Sequence, residues 1–288
     1  MTTLSHELIV QLVRAALAED VGAGDITTET AVPAELRAEA VIIAKEPCVV
    51  AGLPLVSAVF AELDRALGVR LLAGEGELVQ TGQRVCLLNG PARAILTGER
   101  TALNFLQRLS GIATLTRQFV EAVSGTTTQI LDTRKTTPTL RVLEKYAVAA
   151  GGGTNHRMGL FDAVMIKDNH RAILARLGPA ALAGAVAAAR RKDARLPIII
   201  EADTLEDVEA ALAAGADHIL LDNMTPDELR DAVKLVAGRA KTEASGGVRL
   251  ANAAEIAATG VDYISVGALT HSARAVDFSL EMLEHDVA

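Results

Sequence analysis

The chain has 288 residues, half of them hydrophobic, and a formal net charge of −8. Aromatic residues make up 2% and tryptophan is absent, so this acidic chain has neither the charge nor the stacking platforms for nucleic-acid binding. It shows no apolar run long enough for a bilayer, no basic-then-apolar leader, and only two isolated cysteines, Cys48 and Cys86, which form no disulfide framework or metal-ligand spacing. The expectation is a cytoplasmic protein with no membrane partner.

In chain order, residues 5–19 put Leu8, Leu12, Val13, Ala16 and Leu17 on one stripe and predict an amphipathic helix. Val21-Gly22-Ala23-Gly24-Asp25 ends it as a turn. Arg37–Ala44 and Cys48–Ala51 read as strands, and Leu53–Leu67 as a helix. Short strands separated by glycine turns fill residues 69–96, which makes the first third an α+β domain. Residues 97–123 form a long helical pattern, interrupted if anywhere near Gly111.

Beyond that the texture changes. The β-rich runs Gln129–Leu131, Ala163–Ile166, Pro197–Ile200, His218–Leu221, Lys241–Ala244 and Tyr263–Val266 alternate with Ala/Leu-rich helical segments such as 178–191, 204–214 and 225–236. Repeated βα units indicate a parallel sheet buried on both faces. Each run is followed by a charged, polar or glycine residue. In order these are Asp132 with Arg134-Lys135, then Lys167, Glu201, Asp222, Ser245-Gly246-Gly247 and Gly267. In a βα-barrel such strand ends meet at one mouth, whereas an open doubly wound sheet gathers only some of them.

From Arg134 to Arg171 there are seven basic residues against three acidic, a local +4 that marks a site for an anion. A solvated helix face accounts for Arg141, Glu144 and Lys145 but not for the rest. Arg134, Lys135, Arg157 and Lys167, with His156 beside them, would need more than one anionic group, since arginine grips carboxylates and phosphates in a fork and lysine acts as a point charge. Pairing of these cations with Glu201 and Asp222 is the competing structural account. Buried beside cations, both acids are expected to stay ionised, where they can hold ribose hydroxyls or a metal or face a developing positive charge. Asp222 also competes as a helix cap, because Asp222-Asn223 precedes Thr225-Pro226. Thr242–Gly247 and Ser265–Ala268 put Ser or Gly between strand and helix, where backbone N–H groups cradle phosphate. Gly151-Gly-Gly153 offers mobility or close approach to a ligand.

Phosphate-loop, dinucleotide-fingerprint, zinc-protease and nucleophile-elbow motifs are all absent. A Schiff-base lyase using Lys135 or Lys167 and a non-catalytic metabolite-binding barrel remain as rival classes.

The segments Glu19–Thr27, Gly98–Asn104, Leu109–Thr114, Asp132–Pro138, Gly151–Arg157, Ile166–His170, Leu221–Asn223, Glu243–Gly247 and Ser265–His271 together carry a further signal. Along essentially its whole length the chain resembles the quinolinate phosphoribosyltransferase family. The resemblance implies an α/β protein with an incomplete, TIM-like α/β barrel over residues 109–271. It also implies an N-terminal sandwich domain over residues 1–108, rejoined by 272–288, where Phe278, Leu280 and Leu283 supply apolar contacts. It implies a homodimer in which Arg100 enters the partner's pocket. Arg134, Lys135, His156, Arg157 and Lys167 would then hold the two carboxylates of quinolinate, with Thr133 also among the substrate-binding residues. Glu201 and Asp222 would face the ribose of phosphoribosyl pyrophosphate and its Mg²⁺, acting on the metal through substrate or water. Ser245, Gly246, Gly247 and Gly267 would take phosphate, with His271 nearby. The implied catalytic residues are Lys135, Glu201 and Asp222, and the implied products are nicotinate mononucleotide, pyrophosphate and carbon dioxide.

Overall fold

A computed structural model describes residues 4–283. The chain forms two compact units: Met1–Arg117 with Val142–Gly152 and Ser272–Ala288, and Gln118–Arg141 with Gly153–His271.

The first unit opens with α1 (His6–Val21), started by the Ser5 hydroxyl accepting from the Leu8 N–H and stopped at Gly22, whose φ of 55° suits glycine. Its buried stripe is Ile9, Val13 and Leu17, one position away from the expected Leu8–Leu12 edge. Asp25 caps a short helix, α2 (Ile26–Ala31), at a point where the sequence reads only as a turn. Strands β1 (Arg37–Ala44), β2 (Cys48–Val49), β3 (Gly68–Leu71), β4 (Leu78–Val79) and β5 (Arg84–Pro91) and helix α3 (Leu53–Leu63) follow, then the long helix α4 (Ala92–Ala122). The main sheet is antiparallel and runs β12-β1-β5-β3, its first member being the chain's last strand, β12 (Phe278–Met282). Ala40, Val41 and Ile42 are all buried, so β1 is covered on both faces.

Helix α4 is not broken at Gly111. A Cβ there would lie 2.0 Å from the Arg274 carbonyl oxygen, so the glycine lets the returning C-terminal segment pass against the helix. Helix α5 (Arg141–Ala150) also groups with this unit, whereas the expected boundaries left residues 109–117 and 142–152 in the barrel. Glu144 and Lys145 are 1% and 0% exposed, which corrects their reading as a solvated face. Glu144 accepts from Arg108 at 2.9 Å. Gly151 gives close approach, but to helix α4: a Cβ would meet the Ala113 carbonyl at 2.4 Å.

The second unit contains β6 (Gln129–Leu131), β7 (Val164–Ile166), β8 (Ile198–Ala202), β9 (His218–Asp222), β10 (Lys241–Ser245) and β11 (Tyr263–Ser265). Between them lie α6 (Asp168–Ala175), α7 (Ala181–Lys192), α8 (Leu205–Ala214), α9 (Pro226–Val236) and α10 (Leu250–Ala257), and α11 (Ala268–His271) follows β11. The parallel sheet runs β6-β11-β10-β9-β8-β7, the cyclic order of a βα-barrel. Among the described residues no ladder joins β6 to β7, so the barrel is incomplete. The free edge of β6 instead takes one parallel bridge, Leu131 to Thr154. Strands β8 to β10 stay in register along Ile199–His218 and Ser245–Asp222, which puts their C-terminal ends at one level.

Gly111→Ala is expected to cost about 1–3 kcal/mol, the range for overpacking a tight contact. The check is the midpoint of chemical denaturation; an unchanged midpoint would mean that the Arg274 segment does not pack there.

Candidate active site at the barrel mouth

The strand ends converge as the sequence predicts. A cavity of about 410 Å³ is lined by Thr133, Arg134, Lys135, His156, Arg157, Lys167, Glu201, Asp222 and Ser245, with Met165, Leu220 and Glu243 among its other walls. An adjoining recess of about 200 Å³ adds Gly246, Gly247, Gly267 and His271, and shares Thr133, Lys135 and Ser245. Of the residues expected at the site, only Arg100 is elsewhere: it is exposed on α4, in the first unit.

The loop after β6 is held by its own hydroxyls. Thr133 Oγ1 accepts from the Lys135 N–H at 3.0 Å, and Thr270 Oγ1 donates to the Lys135 carbonyl at 2.7 Å. A Cβ at Gly267 would stand 3.0 Å from Lys135 Cδ and 3.1 Å from His271 Nε2, so glycine is needed where these two side chains pass. Asp132 is fully buried and pins the neighbouring segment: its carboxylate accepts from Asn155 Nδ2 at 2.7 Å and from the His156 N–H at 2.8 Å. His156 and Arg157 reach the mouth because of that grip.

The charges are unevenly satisfied. Lys167 Nζ meets Glu201 Oε2 at 2.7 Å, and the Asp168 N–H donates to the other oxygen at 3.2 Å, so part of the cation cluster is neutralised from within. Arg171 donates to the Glu201 carbonyl at 2.9 Å and fixes the end of β8. Arg134 Nε is buried without a partner. The Arg157 guanidinium is pushed down from its ordinary value by burial and then by Arg134, against a smaller opposing pull from Asp162.

At Asp222 burial and a like charge win over the nearby cation. Burial, then the Glu201 carboxylate, push its pKa up, and these outweigh the Ser245 hydrogen bond and the Lys167 charge. The neighbouring cation is already claimed by Glu201. Nor does Asp222 cap a helix: Thr225 caps α9 in a capping box with Glu228. The side chain is therefore left at the mouth, steadied by Asn223 Nδ2 at 2.8 Å. Asn223 sits at φ 56°, donates its N–H to the Ser245 carbonyl at 2.8 Å, and would lie 2.1 Å from a Cβ at Gly246. Asp222, Ser245 and Gly246 are thus one packed corner.

Sequence reasoning missed Glu243, His218 and the bracing role of Asn223. Glu243 is 0% exposed inside the barrel, with Oε2 3.2 Å from His156 Nε2 and 2.9 Å from His218 Nε2. Burial alone would raise this carboxyl, but the two imidazoles outweigh it and hold it at about 2, ionised. A usable signal was present: an acidic residue in mid-strand, in a run that should be buried on both faces.

A separate cleft of about 460 Å³ beside α6 and α7 has largely apolar walls, including Leu174, Pro179 and Leu182, and shares only Asp168 with the lining of the strand-end cavity, with Arg171 beside it.

Comparison with known proteins identifies the family. The N-terminal and C-terminal domain profiles of quinolinate phosphoribosyl transferase match residues 25–110 and 112–281. A probable nicotinate-nucleotide pyrophosphorylase [carboxylating] of Bacillus subtilis is 43% identical, with 97% of this chain and 95% of that protein aligned. The Mycobacterium leprae nicotinate-nucleotide pyrophosphorylase [carboxylating] is 45% identical over 94% and 95% of the two chains. The solved nicotinate-nucleotide pyrophosphorylase of Francisella tularensis superimposes with a TM-score of 0.91 at 38% identity, covering 98% of each chain. A human nicotinic acid phosphoribosyltransferase, at 12% identity and a TM-score of 0.63, shares the fold alone. With both of its domain profiles matched in order and relatives above 40% identity over nearly the full chain, the protein belongs to the quinolinate phosphoribosyltransferase family.

Proposed function

We propose that this chain is a decarboxylating quinolinate phosphoribosyltransferase, a pentosyltransferase of NAD biosynthesis. The observation that carries the reading, beside family membership, is a strand-end cavity that gathers Arg134, Lys135, Arg157 and Lys167, of which Lys167 is paired to Glu201, with a glycine-rich anion recess next to it. A dicarboxylate fits the first and a phosphate the second.

In this reading the quinolinate nitrogen attacks C1 of phosphoribosyl pyrophosphate, the C1–O bond breaks, and pyrophosphate leaves with its electron pair. The ring, now a pyridinium, loses the adjacent carboxylate as carbon dioxide, the electron pair stays on the ring carbon, and a proton from solvent completes nicotinate mononucleotide. Arg134, Arg157 and Lys135 orient the carboxylates, which favours the in-line approach of nitrogen to carbon. Lys167 is positioned by Glu201 to join them. Asp222 and Glu201 present negative charge to the oxocarbenium-like centre, where fixed charge in a partly desolvated site counts most. Ser245, Gly246, Gly247 and Gly267 offer hydroxyl and backbone N–H groups to the 5′-phosphate, with His271 beside them.

Among the described residues no cluster of three or more ligating side chains exists. In this reading Mg²⁺ would be carried mainly by phosphate oxygens, with the Asp222 and Glu201 carboxylates nearby. When bound, the ion would neutralise charge on the departing pyrophosphate. A homodimer that lends Arg100 to the neighbouring pocket, and a cytoplasmic location, complete the proposal. No helix among the described residues is long and apolar enough to cross a membrane.

The primary test is release of carbon dioxide and pyrophosphate by the purified protein with quinolinate, phosphoribosyl pyrophosphate and Mg²⁺, run beside a nicotinate control. Both products are expected with quinolinate alone; pyrophosphate from nicotinate, or no product, would reject the reading. Lys135→Ala should raise KM for quinolinate and lower kcat, together costing about 10²-fold or more in kcat/KM, as loss of an orienting contact does. Unchanged kinetics would remove Lys135 from the site. Asp222→Asn should lower kcat by about 10²-fold with little change in either KM, since its charge is needed at the transition state; an equal rise in KM would instead assign it to ground-state binding.

A further inference from the structure

Resting on that reading of the mouth, we propose that Glu243 is a positioning residue for the dicarboxylate site, acting through His156. The arrangement leaves His156 one tautomer. The Arg157 backbone N–H donates to His156 Nδ1 at 2.6 Å, so Nδ1 carries no proton. The ring proton is then on Nε2, which faces Glu243 Oε2 at 3.2 Å. Both ring nitrogens are thereby turned toward the protein. His156 does not offer a ring N–H to a substrate carboxylate in this arrangement; it transmits the position of Glu243 to the backbone of Arg157.

The surroundings support a rigid anchor. Glu243 lies on β10 and cannot move without the sheet, being flanked by β9 and β11. His218 Nε2 stands 2.9 Å from the same carboxylate oxygen, off the axis of a hydrogen bond, and its ring stacks on His156 at 6.2 Å between centroids. Tyr263 closes the other side of His218 at 5.3 Å. Asp132 holds the His156 N–H from β6. The loop that carries Arg157 is thus fixed from two strands, by Asp132 at the backbone and by Glu243 through the ring. Oε1 of Glu243 is buried without a partner. A group placed only for stability would not be expected to leave a buried carboxylate oxygen unsatisfied on the wall of the cavity.

The test has two arms. In the full-length wild-type protein, ¹⁵N NMR of labelled histidines, assigned with His156→Asn, should show His156 protonated at Nε2 and bare at Nδ1. The opposite tautomer would overturn the proposal, and this arm needs no catalytic activity, so it stands even if the substrate assignment fails. In the second arm Glu243→Gln, His156→Asn and the double variant are compared kinetically. A carboxylate that fixes a histidine tautomer is commonly worth about 10–100-fold in the function it supports. Glu243→Gln should therefore raise KM for quinolinate about tenfold or more, leave KM for phosphoribosyl pyrophosphate unchanged, and shift the His156 ring signals. The double variant should lose no more than His156→Asn alone, because the two residues act in series. An unaltered quinolinate KM in Glu243→Gln, or losses that multiply in the double variant, would refute the link. If Glu243→Gln does not fold, the wild-type tautomer still decides.

Discussion

The buried carboxylate of Asp132 is the interaction on which the mouth depends. Among the described residues the second unit's barrel has no ladder between β6 and β7, and an open edge beside β6 has unpaired backbone groups to satisfy. The Thr154–Arg157 segment partly covers that edge with a single bridge, too little to hold an irregular loop in one place. Asp132 adds a side-chain bond to Asn155 and a main-chain bond to His156, and so turns a loop into a fixed wall of the cavity. A carboxylate removed from water this completely is tolerable only when its acceptors are occupied.

Electrostatics follows from that placement. The mouth holds Arg134, Lys135, Arg157 and Lys167, but one acid, Glu201, spends its charge on Lys167 and on the N-terminus of α6. Asp222 is left without a cation of its own and is raised by burial and by Glu201. Burial and Arg134 together depress Arg157, and Arg134 Nε is buried without a partner.

The first unit shows the same economy in packing. Its sheet is completed by the last strand of the chain, and the path of that strand is open only because Gly111 presents no Cβ to the Arg274 carbonyl. The buried Glu144 carboxylate, accepting from Arg108, ties α5 to α4 within this unit. Charged residues on a helix look solvated when only periodicity is considered, and here Glu144 and Lys145 are as buried as its apolar residues.

How much was legible in the sequence follows from what each pattern encodes. Alternating βα runs, and the polar residue after each run, are local features, and they pointed to the parallel barrel, its mouth and the charged strand-end residues Arg134, Lys135, Lys167, Glu201 and Asp222 that line it. Asp132, Lys167, Glu201 and Asp222 could be chosen because a strand end fixes where its next residue points. Pairing is different. Which acid takes Lys167, why Asp222 is raised, and that Glu243 stands under His156 depend on neighbours 34, 21 and 87 positions away in the chain. The missing β6–β7 ladder, the unbroken helix at Gly111 and the burial of Glu144 and Lys145 were decided in the same way. Each depends on what another segment brings within a few ångströms, and desolvation and charge pairing act across that gap whatever the separation along the chain.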